Sequence, residues 1–200
     1  MNPADSNGAD AGAPKRGQET TAKILRAALE LGNEIGFDAL TVERLAERTG
    51  VAKTTIYRRW TNISTVVMDA FLAKVDQAAP IVECATARES FAVSMKFLAG
   101  LYRSPHGHTL RILIGRAQVD SELRNAVTTR WVEPRRKMAR SIVRRGIETK
   151  ELRAGLDPDL VLDLLYGPIY HRMLVPYENV DLSDAYIDEL LDAVFTGLAC

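Results

Sequence analysis

Apolar residues return at helical spacing along most of the chain, and turn-forming residues cut that pattern into segments. Ile24, Ala27, Ala28, Leu31 and Ile35 lie on one face of a helix predicted from about Thr20 to Ile35, with Gly36 as its stop. Thr41 is placed to cap a short second helix carrying Leu45 and Ala46, and Gly50 stands where a left-handed residue ends a helix. From Lys53 to Trp60 a third short helix turns Ile56 and Trp60 inward and its polar residues outward. Two short helices joined by a glycine turn form a helix-turn-helix, and the stripe of the first helix closes one small core on Leu40, Leu45, Ile56 and Trp60.

The rest of the chain is helical by the same criterion. A fourth helix starts near Ser64, carries Val67, Phe71, Leu72 and Val75, and ends at Ala79-Pro80. Phe91, Met95, Leu98 and Tyr102 make the next stripe, and Leu110, Leu113 and Ile114 follow a break at Ser104-Pro105-His106-Gly107. A long region from Ser121 to Gly146 buries Val132, Met138, Ile142 and Val143, and Pro134 either kinks it or opens a new helix. Asp157-Pro158-Asp159 opens a helix with Leu160, Leu164, Leu165, Ile169 and Leu174, with a break or kink at Gly167-Pro168. Ser183-Asp184 caps a last helix striped by Ile187, Leu190, Leu191, Val194 and Leu198.

Composition agrees with an all-α fold. The 200 residues are 46% hydrophobic, enough for a proper core, only 6% aromatic, and rich in strong helix formers. Residues 1–18 have almost nothing large and apolar and read as a disordered tail; Lys15-Arg16 at its end is a solvated pair or an arm for a minor groove. No apolar core of a signal peptide and no membrane-length apolar run is present, so the expected location is cytoplasmic, with no membrane partner. Cys84 and Cys200 are too few for a disulfide framework, and Cys84 has no nearby resolving cysteine.

The formal net charge is zero, but it is unevenly placed. Residues 103–145 hold eleven Lys or Arg against three acids, and residues 151–200 hold ten acids against two Arg. The first of these regions reads as a salt-bridged or solvated helix face. From Arg48 to Met68 there is no acid, while Arg48, Lys53, Arg58 and Arg59 interleave with Thr54, Thr55 and Tyr57. These groups hydrogen-bond phosphates and base edges, and a helix fits the major groove of B-DNA, so the third helix reads as a recognition helix.

At these residues the chain resembles the TetR family of bacterial transcriptional repressors. Gly36-Phe37-Asp38-Ala39-Leu40-Thr41-Val42, Leu45-Ala46, Gly50-Val51 and Thr55-Ile56-Tyr57-Arg58-Arg59-Trp60 follow its signature in order and spacing over about residues 18–75. Two positions depart from it. Ala52 replaces a frequent Ser, losing a side-chain cap on the recognition helix, and Ile63 replaces a frequent Lys, removing one phosphate contact. The expected organisation is a tail (1–18), a three-helix helix-turn-helix head (19–63), a connecting helix (64–80) and a larger helical-bundle domain for ligand binding and dimerisation (81–200). Lys53, Thr54, Thr55 and Arg58 are the expected base readers; Thr41, Tyr57 and Arg59 are expected on phosphates. The resemblance also implies a homodimer through residues 157–175 and 183–198, with two heads about 34 Å apart on a palindromic double-stranded operator.

For chemistry there is little else. The sequence has no phosphate loop, nucleophile elbow or metal-spaced cluster, so neither an enzyme nor a cofactor is expected; His106-x-His108 lacks a third ligand. In TetR relatives the later helices surround an inducer pocket. Its walls here would draw on Phe91, Met95, Trp131, Tyr166, Tyr170 and His171, with Phe97, Leu98, Leu113 and Met173, favouring a small apolar or aromatic inducer. The leading expectation is a repressor released by such a ligand. Two others stay open: a regulator without a small-molecule inducer, controlled by a protein partner or by abundance, and an enzyme or binding protein with an accessory head.

Overall fold

A computed structural model describes residues 13–75, 82–175 and 182–198. Every element among them is helical, and the chain divides into two units, Met1–Ala70 and Phe71–Cys200.

The first unit is the small head. Helix α1 (Ala13–Ile35) begins seven residues before the expected Thr20, so Lys15 and Arg16 lie in its opening turns; the rest of the expected tail, residues 1–12, lies outside the described residues. Ile24, Ala27, Ala28 and Leu31 are buried as expected, but Ile35 at the frayed end of the stripe is 37% exposed. Helix α2 (Val42–Thr49) is capped by Thr41, whose Oγ1 accepts from the Arg44 amide at 3.3 Å. It ends at Gly50, whose φ of 66° is the left-handed conformation that costs glycine little. Thr49 stitches the turn: its hydroxyl donates to the Leu45 carbonyl at 2.7 Å and accepts from the Val51 amide at 3.3 Å. Helix α3 (Lys53–Tyr57) is shorter than predicted, because Arg58 and Arg59 form a closing turn whose amides reach back to Thr54 and Ile56.

Helix α4 (Ile63–Val75) starts one residue early under a reciprocal cap. Asn62 Oδ1 accepts from the Thr65 amide at 3.0 Å, and Thr65 Oγ1 accepts from the Asn62 amide at 3.4 Å. The helix runs without interruption across the boundary between the two units at Ala70 and Phe71. Its predicted stop at Ala79-Pro80 lies outside the described residues.

The second unit is built around α5 (Ala87–Arg103), which packs against α6 (Pro105–Arg116), α8 (Glu133–Glu148), α9 (Pro158–Leu174) and α10 (Asp184–Leu198). Thr86 and Glu89 close a capping box on α5, and the Glu151 carboxylate accepts the Ala87 and Arg88 amides at 2.7 and 2.9 Å. The predicted break at 104–107 is one residue wide. Ser104 ends α5 and caps α6, and Gly107 allows the return, since a Cβ there would meet the Tyr102 backbone at 2.2 Å.

Pro134 opens α8 instead of breaking a helix. Without an N–H it cannot bond the Arg130 carbonyl, and the chain passes from α7 (Ser121–Val127) through a π-helical turn, Thr128–Val132, into α8. The buried face of α8 is Ala139, Ile142, Val143 and Gly146; Met138, expected there, is 47% exposed. Asp157 caps α9 as predicted, but the helix continues unbroken through Gly167-Pro168. The carbonyl that loses its partner there is that of Leu164, on the exposed side, where water can bond it. The expected stripes of α9 and α10 divide: Leu165, Ile169, Ile187, Leu191 and Leu198 are buried, while Leu160, Leu164 and Leu174 are exposed.

The uneven charge of the sequence is resolved inside this unit. Arg136 bonds Asp163 at 2.8 Å and Asp159 at 2.6 Å, and Arg140 bonds Asp159 at 2.9 Å, tying basic α8 to acidic α9. Lys96 pairs with Asp188 at 2.8 Å, Arg103 with Asp184 at 3.4 Å, and Arg88 with Asp192, linking α5 to α10. Part-exposed pairs contribute little energy each, but together they define which helices lie side by side.

Candidate functional site

In the head, the core holds α3 so that its polar face is turned outward. Ile56 is fully buried and Trp60 nearly so, and the Trp60 indole N–H donates to Asp69 Oδ2 on α4 at 2.9 Å. With those two residues fixed, Lys53, Thr54, Tyr57, Arg58 and Arg59 are exposed and Thr55 is half-buried. Thr41 is also exposed; its oxygen serves the α2 cap, and its hydroxyl hydrogen-bonds the Glu43 carboxylate, an exposed contact that a phosphate can replace. Arg58 and Arg59 make no ion pair among the described residues. Lys53 lies 3.6 Å from Glu43, an exposed pair weak enough for a phosphate or base to displace.

Arg48 does not belong to this face. Its guanidinium bonds Glu34 on α1, with Nη1 to Oε1 at 3.0 Å, and this hydrogen bond holds the Glu34 carboxyl below its ordinary value. Two features were missed in the sequence. Arg44 stands exposed in the first turn of α2, where its place three residues after a capping Thr was a usable signal. The start of α1 adjoins the face: a Cβ on Gly17 would be 3.7 Å from Arg59 Nη2. Ala52 provides no side-chain cap on α3, as its departure from the signature predicted.

The second unit contains a cavity of about 130 Å³ between α5, the π turn with α8, and α9. Helix α5 contributes Ser94, Phe97 and Leu98. The π turn and α8 contribute Trp131, Val132, Arg135, Arg136 and Ala139, and α9 contributes Leu162, Tyr166 and Tyr170. Of the residues expected to line it, Trp131, Tyr166, Tyr170, Phe97 and Leu98 do so. Phe91 is buried one layer behind, its ring 6.4 Å from that of Tyr166; Met95 is buried elsewhere on α5, and His171 is exposed. Leu113 and Met173 are buried outside the wall.

The wall's polar groups are specific. The Ser94 and Tyr166 hydroxyls share a hydrogen bond of 2.8 Å, and burial pushes the Tyr166 pKa up to about 12, so this phenol stays neutral at physiological pH. The Arg135 guanidinium lies 3.5 Å over the Trp131 ring, and its Nη1 donates to the Trp131 carbonyl at 3.1 Å. Trp131 is fully buried, and its indole N–H has no hydrogen-bond partner. On another side, the Trp131 ring packs edge-on against Phe71 of α4, centroids 5.0 Å apart. Behind Tyr170, the buried Tyr102 hydroxyl also lacks a hydrogen bond of good geometry, and burial holds its pKa well above the ordinary value.

Among the described residues no group of three or more His, Cys, Asp or Glu could hold a metal. His106 and His108 lie in the first turns of α6 and not in a loop; two residues apart on a helix they point to roughly opposite sides and do not converge on one ion. Among the same residues no helix is long and apolar enough to cross a membrane.

Comparison with known proteins decides the family. Residues 24–67 match the model described as bacterial regulatory proteins, tetR family, and residues 86–194 match the tetracyclin repressor-like C-terminal domain. The chain belongs to the TetR family. An HTH-type transcriptional regulator of Bacillus subtilis, YdeS, is 37% identical over 92% of this chain and 91% of its own. A crystal structure of the TetR family transcription regulator SCO0332 superposes with a TM-score of 0.73 at 31% identity, covering 91% of this chain and all of that one. The regulator FadR from Bacillus subtilis, solved in complex with stearoyl-CoA, gives 0.67 at 26% identity over 88% and 98%. This TetR-family chain is thus a DNA-binding transcriptional regulator.

Proposed function

We propose that this TetR-family protein is a dimeric repressor released from a palindromic operator by a small apolar or aromatic ligand. The observation that carries the reading is the placement of Trp131. It forms part of the cavity wall and packs on Phe71, and Phe71 belongs to the same uninterrupted helix as Asp69, the residue that anchors Trp60 at the end of the recognition turn. A ligand that moves Trp131 acts on α4, and α4 carries the support of α3. Its effect is limited by its differential affinity for the two arrangements, typically about 1–3 kcal/mol, and operator DNA must weaken ligand binding by the same factor.

On the DNA side, Lys53, Thr54, Thr55 and Arg58 read base edges, and Thr41, Tyr57 and Arg59 hold phosphates, a reading supported by the exposure of six of the seven side chains, with Thr55 half-buried. The dimer is supported by the apolar residues that α9 leaves at its surface, Leu160 at 55%, Leu164 at 44% and Leu174 at 44% exposure, which recur one or more helical turns apart. The interface proposed is that of 157–175 and 183–198, and the protein works in the cytoplasm. Selection of bound sequences from a random DNA pool at physiological salt tests the DNA reading: recovery of one inverted repeat supports it, and salt-sensitive binding without sequence preference refutes it. A second reading, a regulator with no small-molecule inducer, draws on the size of the cavity, about 130 Å³ against about 300–1,000 Å³ for drug-sized ligands.

A further inference from the structure

The cavity's size and its hydrogen-bonding character together restrict what it can hold. Its volume of about 130 Å³ is close to that of an engineered apolar cavity, about 150 Å³, that takes up benzene. One six-membered ring fills such a space, and a long acyl chain does not. The walls suit a ring, since Phe97, Trp131, Tyr166 and Tyr170 present aromatic surface.

The polar groups are unbalanced toward donors. No carboxylate lines the cavity, whereas two guanidinium groups do. The charge of Arg136 is met by Asp159 and Asp163 outside it, and Arg135 is held over Trp131. The Trp131 N–H is a donor only, fully buried, and without a partner. Buried donors are ordinarily satisfied; this one belongs to a ring that lines the cavity but lies just beneath the surface water reaches, so an acceptor in the cavity would meet it by shifting the indole.

Resting on the ligand-responsive reading above, we propose that the cavity takes a single-ring aromatic acid of the benzoate class, its carboxylate accepting from Trp131 and lying in the field of Arg135. The π turn is what brings this indole to the wall: it supplies Trp131, and Arg135 follows one turn later over the same ring. The ligand class and the sensing residue are therefore one feature.

The test uses the full-length protein with benzoate, toluene and stearoyl-CoA as probes, followed by calorimetry and by the two ¹⁵N-indole signals of Trp60 and Trp131. Benzoate should bind saturably, one per chain, and shift the Trp131 N–H signal downfield while the Trp60 signal, already bonded to Asp69, stays in place. Trp131→Phe should weaken benzoate tenfold or more and leave toluene little changed. Should that variant fail to fold, Ala139→Met, which fills the cavity from α8, must abolish benzoate binding. Equal binding of benzoate and toluene with no movement of the Trp131 signal would overturn the acceptor assignment. No saturable binding of benzoate, with stearoyl-CoA releasing the selected operator, would overturn the ring assignment but leave ligand-controlled release standing. Benzoate binding with the expected Trp131 signature but without effect on operator affinity would support the site and refute the release mechanism.

Discussion

Arg59 allows the division of the recognition face into phosphate holders and base readers to be tested quantitatively. Its side chain is exposed and forms no ion pair among the described residues, so Arg59→Gln removes a charge without disturbing the core beneath Ile56 and Trp60. If each head of the dimer places one Arg59 on a phosphate, the variant releases two fewer counterions, and the slope of log affinity against log salt falls by about 1.8. Between about 50 and 200 mM salt, a slope difference of that size changes the ratio of wild-type to variant affinity by about 12-fold. Fluorescence anisotropy on the selected operator and on random duplex should show this convergence on both DNAs. Arg58→Gln, by contrast, should cost about 1–3 kcal/mol per head on the operator and relax specificity at one position. Parallel salt slopes for wild type and Arg59→Gln, or equal losses for both variants on operator and random DNA, would refute the assignment.

Two further outcomes test the packing. Asp159 is held below its ordinary value of 3.8, chiefly by hydrogen bonds from Arg136 and then from Arg140. A depressed carboxyl contributes stability above its unfolded value and loses it as pH falls through the folded one. Asp159→Asn should therefore lower the denaturation midpoint near neutrality and flatten its decline on acidification below 3.8; an unchanged acid limb would show that the α8–α9 network does not act through this group. The glycine pair tests opposite signs. Gly115→Ala on α6 meets nothing within 4 Å and should gain about 0.5–1 kcal/mol. Gly32→Ala in α1 puts a Cβ 2.4 Å from the Phe37 ring, which is 3% exposed and has nowhere to go, so thermal unfolding should show a loss of about 1–3 kcal/mol.

Much of this molecule was legible in its sequence because helical periodicity is a local property. The head with its cap at Thr41, its left-handed Gly50 and its inward pair Ile56 and Trp60, and the Asp157 cap of α9 in the second unit, all follow from residue types at fixed spacing. The early start of α1 was not legible: Ala13-Pro14-Lys15-Arg16-Gly17 has no apolar stripe, although proline is compatible with a first helical turn. The continuation of α9 through Pro168 was hidden for a different reason. A proline's cost depends on whether the deprived carbonyl can reach water, and that depends on which face of α9 the fold covers.

The cavity shows the same division. Phe91 and Met95 share a stripe with Leu98, yet the wall is formed by Ser94, Phe97 and Leu98, because α5 is packed on several sides and a rotation of part of a turn exchanges core for cavity. Likewise the basic content of α8 was plain, but its neutralisation by Asp159 and Asp163 depends on α9 lying beside it. Helix identity, capping and the recognition signature were written in the chain, since each involves residues within a turn or two of one another. Which face of each helix is covered, which cation is spent inside the fold, and which buried donor is left without an acceptor were decided by packing between residues distant in sequence, where spacing carries no signal.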